Sequence, residues 1–169
     1  MNPSEMLFAS GVIPPEREAE FAPPRELWEN KRNGLVIIEC PQRIPCDPCH
    51  TSCPTWAVLP FKDINDTPKV DYSKCTGCAM CVAACPGLAC FVVDLTYGGE
   101  DQALMKLPYE MLPVPRKGEV VQCLDREGNV VATGEVVAVL EPRRDKTRVV
   151  HVVVPKDLVM RIRAIRVVR

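Results

Sequence analysis

Cysteine is the residue type whose spacing carries chemistry in this 169-residue chain, which contains ten of them. The strongest pattern is the run Cys75-x2-Cys78-x2-Cys81-x3-Cys85-Pro86. Three thiolates this close together can wrap three irons of a cubane cluster if the loop between them turns tightly. Gly77 allows such a turn, whereas a zinc site would use two separated pairs of ligands. The run therefore predicts an iron–sulfur centre.

A shorter run, Cys46-x2-Cys49-x3-Cys53-Pro54, lies upstream. Arg43 stands where a first cysteine is expected, and Cys40 lies three residues before it. Because Cys40 directly follows a predicted strand, as Cys75 does, we interpret it as the displaced fourth ligand. The alternatives are a three-cysteine [3Fe–4S] site, with Cys40 an ordinary buried thiol, and replacement of the missing ligand by His50.

The other candidate residues are interpreted as structural. Cys90 and Cys123 lie in apolar predicted strands and are expected to be small buried side chains. His151 lies among valines with no visible partner. The sequence contains no dinucleotide-binding or phosphate-binding loop and no Ser/His/Asp set. We therefore expect no catalytic residue, and any enzymatic role would come through a partner.

The elements that must position the cysteines form an internal repeat. Residues 35–61 and 69–95 each follow the order strand, cysteine loop, short helix, strand. The predicted strands are Leu35–Glu39, Thr55–Phe61, Lys69–Lys74 and Leu88–Leu95. The cysteines are thus expected to lie between short strands in two similar halves.

The flanks predict three further regions. Residues 1–34 contain several prolines and are expected to form an extended arm that is either flexible or docks on a partner, with a short helix over Arg25–Lys31. Residues 96–117, with Gly98-Gly99 and three prolines, are expected to be a connector. Residues 118–169 predict a small antiparallel β domain, a barrel or a sheet. Its strands are expected at Glu119–Leu124, Val130–Leu140, Arg148–Val154 and Met160–Val168, with a hairpin loop at Asp125–Asn129 and a charged turn at Pro142–Lys146.

The two cysteine runs and their repeat resemble the bacterial-type two-cluster ferredoxins, over roughly Leu35 to Leu95. The resemblance implies an α+β chain with a pseudo-symmetric βαββαβ domain that holds two [4Fe–4S] clusters close together. Carried over by position, the crossed pattern of that family implies two ligand sets. Cluster 1 would be held by Cys40, Cys46, Cys49 and Cys85, and cluster 2 by Cys75, Cys78, Cys81 and Cys53.

A second resemblance concerns the partner. The stretch Glu39-Cys-x5-Cys-Asp-Pro-Cys is similar to the iron–sulfur subunits that accompany flavin-dependent amine, proline or opine-type dehydrogenases. That resemblance implies a larger, FAD-containing partner and a hetero-oligomer. The expected function is therefore an electron-transfer subunit that relays single electrons between such an enzyme and an acceptor.

Composition narrows the class of protein. The formal net charge is −1, and 47% of the residues are hydrophobic. No signal-peptide pattern and no apolar run of the ~20 residues needed to cross a bilayer is present, so we expect a cytoplasmic protein with reduced thiols. Nine basic residues in 141–169 leave open a redox-sensing module that binds RNA, although we expect no nucleic-acid partner. A free ferredoxin-like carrier with a β extension is the other alternative.

Overall fold

The computed structural model describes residues 2–141 and 146–169, and it is a mixed helix and sheet structure. Seven strands form one antiparallel sheet in the order β1-β2-β3-β6-β5-β4-β7. The strands are β1 (Leu35–Ile38), β2 (Cys90–Asp94), β3 (Gln102–Tyr109), β4 (Val120–Leu124), β5 (Val130–Leu140), β6 (Arg148–Pro155) and β7 (Ala164–Arg166). The helices are α1 (Pro3–Ser10), α2 (Arg25–Trp28), α3 (Pro48–Thr51) and α4 (Met80–Ala84), with 3-10 helices at Pro15–Phe21 and Lys156–Leu158. Within the described residues, no helix is long and apolar enough to cross a membrane.

The cysteine-rich half begins and ends on strands that pair with each other. β1 and β2 are antiparallel, with Leu35 opposite Val93, and every residue of both strands is buried. Between them lie α3, an isolated β-bridge from Val58 to Val70, and α4. The strands predicted at Thr55–Phe61 and Lys69–Lys74 shrink to that single bridge. The pairing covers only residues 57–59 and 69–71, because the flanking N–H groups of Trp56 and Lys74 bond carbonyl oxygens within local turns.

Residues 96–117, expected to be a connector, contain strand β3. It pairs with β6 along its whole length, from Gln102 opposite Pro155 to Tyr109 opposite Arg148. Pro108 weakened the prediction of a strand here, because proline has no backbone N–H to donate to a neighbouring strand. The structure accommodates Pro108 because the pairing of β2 with β3 covers only Leu104 to Lys106, so no strand flanks Pro108 on that side.

The C-terminal strands extend the same sheet. β5 matches its predicted bounds, and the hairpin loop at Asp125–Asn129 is confirmed by the β4–β5 pairing. The strand predicted over Met160–Val168 is reduced to β7, because the chain first turns through residues 158–162. The charged turn predicted at 142–146 falls mostly on residues 142–145, which lie outside the described residues. Since β3 joins β2 to β6, the cysteine-rich half and the extension share one sheet.

Part of the N-terminal arm packs on its own chain. The indole of Trp28 is buried at the end of α2, and its Nε1 donates to the Val93 carbonyl oxygen at 2.9 Å. Leu7 and Ile13 are also buried, whereas Phe8 is 89% exposed. The arm is therefore partly helical and anchored to β2, with one large aromatic side chain left in solvent.

Candidate iron–sulfur centre

The cysteines of the two runs line two separate cavities, each partly open to solvent. Cavity 1 is lined by five thiols: the predicted ligands Cys40, Cys46, Cys49 and Cys85, and in addition Cys90. Cavity 2 is lined by four thiols: Cys53, Cys75, Cys78 and Cys81. Within the described residues, no group of three or more His, Cys, Asp or Glu side chains converges to hold a single metal ion, and the thiols instead lie around the cavity walls.

The two short helices explain how consecutive cysteines reach different cavities. Cys49 lies within α3 and lines cavity 1, while Cys53 follows that helix and lines cavity 2. In the other half, Cys81 lies within α4 and lines cavity 2, while Cys85 follows the helix and lines cavity 1. An x3 spacing thus sends the last cysteine of each run to the cavity of the other run.

The loop of the second run turns tightly, as its sequence predicts. Gly77 and Ala79 both have positive φ, +67° and +63°. A Cβ on Gly77 would lie 2.2 Å from the Asn33 carbonyl oxygen. Glycine is therefore required at position 77 both for its backbone conformation and for the close approach of the 33–34 turn.

Cys40 reaches cavity 1 directly from the end of β1. The Glu39 N–H donates to the Ala89 carbonyl oxygen at 2.8 Å, which continues the β1–β2 pairing up to the residue before Cys40. Arg43, at the position of the missing cysteine, is exposed and lies 3.5 Å from Asp66. The longer spacing is therefore taken up by residues 41–45.

Backbone N–H groups point at several of the sulfurs. The Ala89 N–H donates to the Cys85 sulfur at 3.4 Å. Burial raises the pKa of Cys53, but N–H groups of Val58 and Thr55 more than offset it, so that the pKa of Cys53 ends below its usual range. Such N–H bonds stabilise negative charge on sulfur, which is one way in which a protein sets the potential of an iron–sulfur cluster.

Cys90 lines cavity 1, next to Cys85, and is fully buried. The neighbouring Cys90 thiol lowers the pKa of Cys81 and lowers the pKa of Cys85 to about 6, although its single S–H can donate to only one of these sulfurs at a time. One of these acceptors lines cavity 2 and the other lines cavity 1. Sequence reasoning placed Cys90 as a buried thiol, but its contact with both sets of cysteines depends on the pairing of β2 with β1 and was not visible in the spacing.

The remaining candidates lie away from the cavities. The His50 Nδ1 lies 2.7 Å from the Val58 carbonyl oxygen, and His50 does not line either cavity. Cys123 is buried in β4, and burial raises its pKa to about 11. His151 is in β6 opposite Lys106, where burial and then the Lys106 charge lower its pKa to about 4. Neither Cys123 nor His151 lines either cavity.

The residues present fit an iron–sulfur cluster in each cavity. Each has the four thiols that a cubane cluster needs, with Cys90 as a fifth in cavity 1, and apolar side chains such as Val36 and Ile38 form the walls behind them. Thiolates are the ligands that iron–sulfur clusters require. Cys78 is exposed and Cys46 is partly exposed, so each cavity has a thiol that reaches the surface.

Comparisons with known proteins support iron–sulfur chemistry for this segment. Residues 42–89 match the family model of the 4Fe-4S dicluster domain. That match begins after Cys40, whose position in cavity 1 is therefore an observation of the structure alone.

Two curated proteins are similar to parts of the chain. The thiosulfate reductase electron transfer subunit PhsB of Salmonella typhi is 51% identical over 52 residues, which cover 31% of this chain and 26% of that protein. The pyruvate synthase subunit PorD of Methanocaldococcus jannaschii is 34% identical over 59 residues, which cover 35% of this chain and 63% of that protein. The chain thus spans about a quarter of one relative and less than two thirds of the other. No solved structure matches the chain significantly.

Proposed function

We propose that this chain is an electron-transfer subunit of a larger oxidoreductase and that it holds two [4Fe–4S] clusters. The observation that carries the proposal is the division of the eight predicted ligand thiols into two sets of four, one around each cavity, with Cys90 as a further thiol in the lining of cavity 1. The similarity of the segment to a dicluster domain and to a protein named as an electron transfer subunit supports the same assignment.

Cluster 1 is assigned to cavity 1 and cluster 2 to cavity 2. The proposed ligands are Cys40, Cys46, Cys49 and Cys85 for cluster 1 and Cys53, Cys75, Cys78 and Cys81 for cluster 2. When bound, such clusters accept and release single electrons and make no bonds to substrate. The chain's own residues hold the sulfur ligands, exclude water with apolar walls, and direct N–H groups at the ligand sulfurs. The short helices α3 and α4 bring the two sites close together, because each contains a cysteine of one site and is followed by a cysteine of the other.

The arrangement of elements supports a pseudo-symmetric dicluster domain. From β1 to β2 the order is strand, helix α3, bridge residue Val58, bridge residue Val70, helix α4, strand. The outer strands pair with each other and the two bridge residues pair with each other, as expected for a βαββαβ unit with short inner strands.

The partner is assigned as a larger redox subunit, with a flavin-containing dehydrogenase as its specific form. The rims of the two cavities carry large apolar side chains in solvent. Ile44 and Met80, which line the cavities, are each 44% exposed, and Trp56, near the Cys53 end of cavity 2, is 62% exposed. Apolar surface of this kind at an electron-transfer site fits a docking face. A flavin releases two electrons as a pair, which two one-electron centres can take singly.

The RNA-binding alternative has less support in the structure than in the sequence. Four of the basic side chains in the C-terminal region are paired with carboxylates on the same chain: Arg148 with Glu141, Arg161 with Asp125, Arg163 with Glu39, and Arg169 with Glu119. These pairings neutralise charge that a phosphate backbone would otherwise meet.

The proposal is tested on tagged chain purified from its native cells without oxygen. We expect about eight irons and eight acid-labile sulfides per chain, an electron paramagnetic resonance signal after reduction, and a larger protein that co-purifies and contains flavin. Cys46→Ser and Cys78→Ser should each perturb one half of the iron, with Cys123→Ser as the control that retains all of it. About four irons in the wild type would contradict two clusters. A monomer that cycles between redox states without a partner would favour the free carrier.

A further inference from the structure

The ammonium group of Lys106 is buried against the loop that holds cavity 2. Lys106 is in β3, outside the predicted dicluster segment, and is 8% exposed. Its Nζ donates to the Gly77 carbonyl oxygen at 2.6 Å and to the Asn33 carbonyl oxygen at 3.1 Å. Gly77 lies between Cys75 and Cys78, so the cation touches the backbone that joins two of the cavity thiols.

The contacts of Lys106 leave its charge uncompensated at close range. Both of its hydrogen-bond acceptors are neutral carbonyls. Asp94 attracts the ammonium from further away, and the Asp94 carboxylate accepts hydrogen bonds from the Asn33 and Thr96 N–H groups. Within the described residues, Lys106 is thus a buried cation without a direct ion pair, and its ammonium group lies against the backbone of the cavity 2 loop.

The two cavities differ in the charges near them. The residues that line cavity 2 include no acidic or basic side chain besides the thiols, and the Lys106 charge acts on Cys75 and Cys78. Cavity 1 instead includes Asp66 in its lining, paired with the exposed Arg43. His151, opposite Lys106 across the β3–β6 pair, adds no second charge at neutral pH because burial lowers its pKa to about 4.

We propose that Lys106 is a positioning residue that fixes the Gly77 loop and whose charge raises the reduction potential of the centre in cavity 2 but not of the centre in cavity 1. Adding an electron to a centre makes it more negative, and a fixed cation nearby stabilises that reduced form. The effect is strong here because the cation is buried, whereas an exposed lysine is screened by water. The β extension thereby acts on the redox site through β3. This inference rests on the proposed cluster assignment.

The test is a redox titration of the complete chain with its clusters, monitored by electron paramagnetic resonance. Cys78→Ser and Cys46→Ser identify which titration step belongs to which cavity. Lys106→Met removes the charge, and Lys106→Gln does so while keeping a hydrogen-bond donor near Gly77 in case the first variant does not fold. Lys106→Arg keeps the charge. Lys74→Met is the matched control because Lys74 adjoins Cys75 but is 53% exposed and paired with Asp71.

In Lys106→Met or Lys106→Gln, we expect the ratio of reduced to oxidised centre in cavity 2 to fall about tenfold at a fixed applied potential, which equals about 59 mV for one electron. The same ratio for the centre in cavity 1 should stay within twofold of its wild-type value. In Lys74→Met and Lys106→Arg, the ratios for both centres should stay within twofold of wild type. The proposal is overturned if iron is retained but the cavity 2 step does not move, if both steps move equally, or if cavity 2 loses its iron in both uncharged variants. Failure of the proposed function would appear differently, as a wild-type chain without two titration steps.

Discussion

Glu39→Gln tests the buried ion cluster that joins the cysteine-rich half to the β extension. The Glu39 side chain is 7% exposed and lies between the guanidinium groups of Arg126 and Arg163, which are 10% and 6% exposed. Arg126 donates to it from Nε at 3.0 Å and from a terminal nitrogen at 2.5 Å. Arg163 donates from Nε at 2.8 Å and from a terminal nitrogen at 2.6 Å. Because Cys40 is the next residue, the cluster also fixes the entry of the chain into cavity 1.

The expected loss in the free energy of unfolding arises because the substitution leaves two buried guanidinium groups without their carboxylate. Removing one partner of a buried ion pair costs about 3–5 kcal/mol. We expect the lower end, about 3 kcal/mol, because the glutamine oxygen still accepts one bond and both arginines keep bonds to backbone carbonyls. The contacts join residues 87 and 124 positions apart, so they should form late in folding and the loss should appear as faster unfolding. A cost of about 3 kcal/mol corresponds to a rate increase of roughly a hundredfold.

The assay is anaerobic unfolding in urea with an iron chelator, followed by tryptophan fluorescence and by the loss of visible absorbance. A rate is the appropriate quantity because release of the clusters makes unfolding irreversible. Glu18→Gln is the matched control: Glu18 bonds the same Arg126 but is 25% exposed, so its loss should cost less than about 1 kcal/mol. An unfolding rate for Glu39→Gln within threefold of wild type, or equal to that of Glu18→Gln, would refute the reasoning.

The pH dependence of this effect has a definite sign. Burial raises the pKa of Glu39, but hydrogen bonds from Arg126 and Arg163 outweigh it and hold the pKa below its ordinary range. A carboxylate with a depressed pKa stabilises the fold above its unfolded pKa of about 4.3, and that contribution is lost as the pH falls through the folded value. The ratio of unfolding rates between Glu39→Gln and wild type should therefore be constant from pH 8 to about pH 6 and narrow only below about pH 4.

Three further substitutions test the cavities, each read by iron content and by electron paramagnetic resonance. Cys40→Ser should lower the iron content from about eight toward seven per chain or remove the centre in cavity 1. Unchanged iron content and unchanged spectra would exclude Cys40 as a ligand. Cys123→Ser is the control, because Cys123 is buried but remote from both cavities. Gly77→Ala should lower the iron content of cavity 2, because Gly77 has a positive φ and the added Cβ would lie 2.2 Å from a backbone oxygen. Gly99→Ala is the control and should keep full iron, because nothing lies within 4 Å of its added Cβ. Equal iron in the two variants would contradict the required close approach. Cys90→Ser should keep both centres because the hydroxyl can still donate to its neighbours, and loss of either would make Cys90 more than a buried donor.

Some of the fold was predictable because it depends on local pattern. Strands β1, β2 and β5 were recognisable from their apolar residues, and the Asp125–Asn129 loop from its turn residues. Strand β3 was missed because Pro108 weakens its pattern, and only the short register of β2 makes room for that proline. The predicted strands near Val58 and Val70 were too long, because the N–H groups of Trp56 and Lys74 bond carbonyl oxygens within local turns.

The sequence alone was enough to identify the iron–sulfur chemistry, because the spacing of cysteines along a tight loop and a short helix is a local property of the chain. The tertiary structure decided which distant groups surround those cysteines. It placed Cys40 and Cys90 at cavity 1 and Lys106 against the Gly77 loop. Each of these contacts depends on strand pairing across the sheet, where one residue of register decides which side chains meet, and no spacing within a cysteine run contains that information.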